Sequence, residues 1–171
     1  INIFHLGEKI IDAIGDGSDL GLKISYSIET ELLGTGGGIA KAIHLFTEPF
    51  VVLSADVWTD FNFSKLKLHE NKLAHMVLIK NPISNKDGDV SIEDSMVMPK
   101  EEGPSFTYSG ISMLSPELFH TSELDKFELW EEILLPASKK GLVSGEIYGG
   151  LLDNLNSLKE AEKLDALLSG E

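Results

Sequence analysis

The sequence contains neither cysteine nor arginine. Without thiols there is no disulfide framework, no thiolate nucleophile and no sulfur-ligated metal, a composition that suits the cytoplasm. Without guanidinium groups, the forked donors that best match phosphate are missing. The cations are 14 lysines against 28 acidic residues, a net charge of −14. A surface with that balance repels a phosphate backbone, so nucleic acid is not an expected partner. Long apolar runs are absent as well: those such as Phe50 to Leu53 last a few residues between polar neighbours, and no membrane span is expected. No signal-peptide pattern is visible. Repeats, low-complexity tracts and linkers are also missing. What remains is 171 residues with 42% apolar content, enough for one domain over 1–171 with a sizeable core.

The patterning alternates between helix and strand. Leu6, Ile10 and Ile14 recur at four-residue spacing and predict a helix stopped by Gly15. After the breaker cluster Gly15-Asp16-Gly17-Ser18, the alternation of Leu22, Ile24, Tyr26 and Ile28 with polar residues predicts a half-buried strand. Ile39, Ile43 and Phe46 form a helical stripe, and Phe50 to Leu53 reads as a strand buried on both faces. A short helix is expected over Ser64 to Lys72, strands over Ala74 to Lys80 and Thr107 to Leu114, and a helix start at Ser115-Pro116-Glu117. Phe127 to Lys140 reads as a helix kinked at Pro136, and Glu146 to Leu152 as a last strand. Ser157 to Glu160 has the form of a capping box, opening a closing helix with Leu158, Ala161, Leu164 and Leu168 as its buried stripe. The fold class predicted is α/β, a sandwich around a mostly parallel central sheet.

In such sheets ligands gather beyond the carboxyl ends of the strands. Gly34-Thr35-Gly36-Gly37-Gly38 lies between a strand and a helix, and places glycine at four of five positions. Missing side chains let backbone N–H groups approach a ligand, and a helix start favours an anion or a polar base edge. The segment fits neither familiar glycine motif. A dinucleotide fingerprint meets Ile39 where a small residue is required, and a Walker loop requires Gly-Lys-Ser/Thr, whereas Lys41 stands between Ala40 and Ala42. Asp56 follows one apolar strand and Asp153 ends another, 97 positions later. Two carboxylates suit Mg²⁺, which completes its octahedron with water and substrate phosphate, provided that both strand ends lie on one edge of the sheet. Elsewhere the chemistry is thin. The five histidines lack metal spacing, and Ser109-Gly110 is not part of a nucleophile elbow. Trp58 and Trp130 fit stacking and core roles equally well, and Lys80 and Lys100 read as ordinary surface charges.

Tyr26-Ser27-Ile28-Glu29, Leu33 to Ile39, and Phe50 to Phe61 together resemble the sugar-1-phosphate nucleotidyltransferases, and within them the branch that uridylylates N-acetylmuramate 1-phosphate. Asn81-Pro82, Gly88-Asp89, Tyr108 to Ile111, Ser144 to Tyr148 and Asp153 follow in the family's order, so the likeness spans essentially the whole chain. The resemblance implies a Rossmann-like nucleotidyltransferase fold. It implies that Gly34, Thr35, Gly36 and Gly37 lie near the base and sugar of a nucleoside triphosphate. It also implies that Asp56 and Asp153 hold Mg²⁺, and that Asn81, Ser109, Gly110 and Glu146 face a sugar 1-phosphate. The implied reaction is attack of the sugar phosphate on the α-phosphorus of UTP with release of pyrophosphate.

Two departures from the family pattern stand out. The family opens with a strand and a glycine-rich loop bearing Arg and Lys, whereas this sequence starts at Ile1, after that region. The expectation is therefore an N-terminally truncated domain with little turnover by itself, the missing strand and triphosphate loop being lost, or supplied by an N-terminal segment or a second chain. Asp153-Asn154-Leu155-Asn156 stands where the family carries Asp, an aliphatic residue, Gly and Thr; asparagine tolerates positive φ, so the turn is expected to survive. A non-catalytic nucleotide-sugar-binding regulatory domain is the alternative reading, and a nicotinamide-dependent oxidoreductase a distant third.

Overall fold

A computed structural model describes residues 1–100, 103–120 and 126–170. The chain divides into two compact units, Ile1–Pro49 with Ser115–Ala137, and Phe50–Leu114 with Ser138–Glu171. No described helix is long and apolar enough to cross a membrane.

In the first unit β1 (Asn2–Ile3) leads into α1 (Gly7–Ile14), β2 (Ser27–Ile28) pairs parallel to β1, and α2 (Gly34–Ala42) follows. The helix predicted from Leu6, Ile10 and Ile14 is present and ends at Gly15, whose φ of 64° few other residues tolerate. The strand expected over residues 22–28 shrinks to two residues. Leu22 and Ile28 stay exposed while Ile24 and Tyr26 are half-buried, so only the middle of the alternation finds cover. Ser115 caps a short 3₁₀ turn over Pro116–Phe119, as its Ser-Pro-Glu signature predicts, by accepting from the Glu117 amide at 3.3 Å. The helix expected from Phe127 begins with a π-helical turn, Trp130–Leu134, before α3 (Leu135–Lys139). Pro136 has no N–H for an α-type bond and its ring crowds the preceding turn, and the wider turn accommodates both.

The second unit holds β3 (Phe50–Leu53), β4 (Val57–Thr59), β5 (Ala74–Ile79), β6 (Val90–Glu93), β7 (Met96–Pro99), β8 (Thr107–Leu114), β9 (Val143–Ile147), β10 (Leu152–Asn154) and α4 (Leu158–Ser169). Among the described residues, six strands make one sheet in the order β3-β8-β5-β9-β7-β6, and β4 pairs with β10 in a separate ribbon. The α/β class holds, but the pairing is mixed rather than mostly parallel: only β5 and β9 are parallel neighbours in the large sheet. Apolar runs record burial and not direction, and β8 inserts antiparallel between β3 and β5. Strands β3, β5 and β9 nevertheless point the same way, so their carboxyl ends share one rim.

The core runs along the middle of the sheet, where Ala74, Val77, Leu78, Ile111, Leu114 and Val143 are fully buried. β3 departs from the expectation of burial on both faces: it is the sheet's edge, and Val51 (42%) and Leu53 (48%) are exposed. The helix expected over Ser64 to Lys72 is only a 3₁₀ turn, Phe63–Lys65, capped by the Asn62 carboxamide, which accepts from the Ser64 amide. The strand expected over 146–152 divides into β9 and β10, with Gly149 and Gly150 between them. The Ser157 hydroxyl caps α4 by accepting from the Glu160 amide at 3.3 Å, and the Glu160 carboxylate reaches back to the Asn156 amide at 2.8 Å. The expected leucine stripe of α4 is not buried; Leu158 is 77% exposed.

Candidate active site

The glycine-rich segment forms the first turns of α2. Gly36 and Gly37 both donate their amides to the Phe127 carbonyl at 3.1 Å, and the Thr35 amide reaches a Glu128 carboxylate oxygen at 3.4 Å. The donors expected to face a ligand thus meet the chain itself. This close approach also accounts for the composition. A β-carbon at Gly36 would run into the Phe127 ring; one at Gly34, where φ is +72°, would stand 2.7 Å from the Phe127 carbonyl; one at Gly38 would stand 2.6 Å from the Asn2 carboxamide. Glycine here lets other segments of the same unit pack onto the helix start.

In the second unit the remaining candidates gather at the rim where β3, β5 and β9 end. Asp56 lies in the turn between β3 and β4, its carbonyl accepting from the Leu155 amide at 2.7 Å. Asp153 lies within β10, opposite Trp58 of β4. Since Leu155 stands opposite Asp56, the two acids are diagonal neighbours on an antiparallel ladder, a relation that leaves about 7–8 Å between residues. Val57 and Leu152 pack against the core cluster of Phe61, Leu66, Val77 and Ile111, so alternation along the ribbon turns Asp153 outward beside Trp58, and Asp56, in the turn just before β4, is exposed. Both acids are exposed, and among the described residues neither carboxylate is hydrogen-bonded or ion-paired. Asn154 and Asn156 do not take positive φ, because β10 runs on through Asn154.

These acids fit Mg²⁺. The cation is hard, takes oxygen donors, and is commonly held by one or two carboxylates with water and phosphate completing the shell. Among the described residues no group of three or more His, Cys, Asp or Glu is arranged for a metal, so two outward carboxylates are what the fold offers. A cavity of about 260 Å³ is lined by Asp153, Asn154 and Leu155 and, from α4, by Glu160, Lys163, Leu164 and Leu167. Lys163 went unnoticed in the sequence, since only the fold brings it to the cavity that Asp153 and Glu160 also line.

Gly110 sits in β8 with φ +82°, where the ladder to β5 shifts register between Met76 and Leu78, and its carbonyl accepts from the Ser54 amide at 2.9 Å. A β-carbon at this position would press on the Ser54 side chain, 2.8 Å from its Cβ. Ser109 is buried and its hydroxyl accepts from the Ile111 amide at 3.2 Å, which stabilises the bulge. The Asn81 carboxamide is engaged in the loop after β5. It donates to the Lys86 carbonyl at 3.2 Å and the Ser105 hydroxyl at 3.1 Å, and accepts from Thr107 at 3.0 Å. Glu146, 46% exposed, has one oxygen 3.4 Å from Nε2 of buried His75, whose Nδ1 lies 2.9 Å from the Ser144 hydroxyl. Burial holds the imidazole pKa below its ordinary value, against the pull of the Glu146 carboxylate, and stacked His69 lowers it further.

Two further groups lie within the segments that carry the resemblance but were given no role of their own in the sequence. Tyr148 donates its hydroxyl to the Asp60 carboxylate; this bond lowers the pKa of Asp60 and raises that of Tyr148. Tyr108, bonded to the Ser112 hydroxyl at 2.9 Å, has its pKa pushed up to about 12 by burial.

Known proteins resemble this chain in sequence and in fold. A nucleotidyl transferase family model matches residues 4–88. An N-acetylmuramate alpha-1-phosphate uridylyltransferase from Neisseria meningitidis serogroup B is 38% identical over 96% of this chain and 76% of its own length. A D-glycero-alpha-D-manno-heptose 1-phosphate guanylyltransferase from Campylobacter jejuni is 34% identical over 71% of this chain and 57% of its own. Among solved structures, a putative glucose-1-phosphate thymidylyltransferase from Bacillus anthracis superposes with a TM-score of 0.73 at 15% identity, over 98% of this chain and 75% of that one.

Proposed function

Because this chain belongs to the sugar-1-phosphate nucleotidyltransferases, we propose that it transfers the uridylyl group of UTP to a sugar 1-phosphate, the acceptor being N-acetylmuramate 1-phosphate as in the name of the Neisseria relative. The observation that carries this reading is the exposed pair Asp56 and Asp153, whose carboxylates have no partner among the described residues and which lie beyond the carboxyl ends of β3 and β9. A sugar phosphate oxygen attacks the α-phosphorus of UTP, the bond from that phosphorus to the bridging oxygen breaks, and pyrophosphate leaves with the electron pair. No covalent enzyme intermediate is needed, so the protein's work is positioning and charge neutralisation. Mg²⁺, when bound, neutralises phosphate charge and orients the in-line displacement.

In this reading Asp56 and Asp153 hold the cation, and Trp58 offers a flat apolar surface beside them. Lys163 supplies a positive charge on the cavity side of Asp153. Gly110 keeps the backbone of β8 free of a side chain at the rim, and Glu146, steadied by His75, accepts from a sugar hydroxyl. Ser109 and Asn81 shape the backbone around that subsite through the bonds they already make. For Gly34, Thr35, Gly36 and Gly37 the nucleotide role rests on the family likeness. The cysteine-free composition suits the cytoplasm, and the edge of β3 is where a strand from an N-terminal segment or a second chain would complete the sheet.

The test is pyrophosphate release from UTP with N-acetylmuramate 1-phosphate, measured with and without Mg²⁺ on the product of the complete reading frame. Metal-dependent release is the expected result. Nucleotide-sugar binding without any release would instead favour a regulatory domain, a reading to which the internally capped amides of Gly36 and Gly37 lend some weight.

A further inference from the structure

We propose that Asp60 and Tyr148 form a clamp that fixes the register of β10 on β4, and thereby holds Asp153 and Asp56 as outward neighbours; the functional part of this inference rests on the metal-site reading above. They are positioning residues and touch no substrate.

The ribbon needs such a device. β10 has three residues and, among the described residues, pairs only with β4. Short ladders specify their own register weakly, and a one-residue slip turns every side chain to the other face. The sequence does not prevent that slip, because Leu151 and Leu152 are adjacent and either can supply a leucine to the core. With Leu151 inward, Asp153 would also face the core and the pair would be lost.

The restraints converge where the ribbon begins. The Tyr148 amide donates to the Leu78 carbonyl at 2.7 Å, which ties this residue to the centre of the large sheet. The Tyr148 hydroxyl then donates to Asp60, the residue that follows β4. The same Asp60 oxygen accepts from the Leu151 amide at 2.8 Å, while the Leu151 carbonyl accepts from the Thr59 hydroxyl at 2.8 Å and the Asp60 amide at 3.2 Å. Leu151 is thus held through both its backbone groups immediately before β10. The Phe61 ring meets Tyr148 edge-on, 5.1 Å between centroids, and limits its swing. Gly150 completes the turn: a β-carbon there would strike the Tyr148 hydroxyl and stand 2.9 Å from the Asp60 carboxylate.

Two readouts on the full-length protein test the clamp. One is Mn²⁺ affinity by electron paramagnetic resonance; the other is hydrogen exchange at the Leu155 amide, which the Asp56 carbonyl holds only in the observed register. Asp60→Ala and Tyr148→Phe are expected to weaken Mn²⁺ about tenfold or more, the scale of lost outer-sphere support, and to speed Leu155 exchange. Asp60→Asn keeps an oxygen that accepts both bonds and is expected to preserve both readouts, a rescue that a requirement for negative charge would not give. Wild-type Mn²⁺ affinity together with unchanged Leu155 exchange in Asp60→Ala and Tyr148→Phe would overturn the clamp. If Asp60→Ala does not fold, Tyr148→Phe decides alone, since it removes a single hydroxyl. If the wild-type protein takes up no Mn²⁺, the metal reading fails by itself, and Leu155 exchange in Tyr148→Phe still decides the clamp: faster supports it, unchanged refutes it.

Discussion

The glycine-rich start of α2 and the β4–β10 ribbon present the same kind of signal in sequence, polar or side-chain-poor residues at the end of a strand, and the fold treats them in opposite ways. At α2 the backbone donors are already occupied by the Phe127 carbonyl and the Glu128 carboxylate. On the ribbon the carboxylates of Asp56 and Asp153 face outward with no internal partner among the described residues. An unusual composition that lets the chain approach itself is accounted for by packing. Two exposed carboxylates on neighbouring segments, neither with a partner among the described residues, have no such packing role, and oxygen donors of this kind suit a hard cation.

That contrast can be broken by substitution. The largest effect is expected at the ribbon, where Asp56→Asn should lower metal-dependent pyrophosphate release by about 10²–10³-fold, the scale for removing a group that stabilises transition-state charge. Its melting temperature should hardly change, because an exposed, unpartnered side chain contributes little to stability. At α2 the balance reverses: Gly36→Ala should cost about 1–3 kcal/mol in chemical denaturation through overpacking against the Phe127 ring. A loss of turnover without loss of stability in Gly36→Ala would instead support a ligand role for the glycines.

Smaller effects sharpen the picture. Ser157→Ala removes the side-chain cap of α4 and should cost about 1 kcal/mol, read as a shift of the denaturation midpoint. The smallest is a slope. His75 has its folded pKa held below 6.5 by burial, so as pH falls past that value the unfolded chain binds the proton first and stability declines until the folded state also protonates. His75→Gln should flatten stability against pH in that window; an unchanged slope would assign the decline to other groups.

Much of the second unit was legible in the sequence because its signals are local. Thr107 to Leu114 forms the strand its pattern predicts, and Ala74 to Ile79 all but the last residue of its own. The Ser157 cap needed only a few adjacent residues, as did the Ser115-Pro116 start in the first unit. Strand direction was not legible, since a run buried on both faces looks the same either way, and β8 lies between two strands that run opposite to it. The strand read into residues 22–28 failed because alternation records a preference for a half-buried surface, and none covers Leu22. At the site, the two acids could be named from their places after apolar strands. The bond from Tyr148 to Asp60 joins residues 88 positions apart with no motif to announce it, and only the fold could show it.

The most direct measurement is a Mn²⁺ titration of the wild-type protein, Asp56→Asn and Asp153→Asn, with the bound ion counted as well as its affinity. The account expects a single tightly held ion in the wild type, weakened by either substitution alone. Two ions, each sensitive to only one of the substitutions, or an affinity that neither substitution changes, would contradict it.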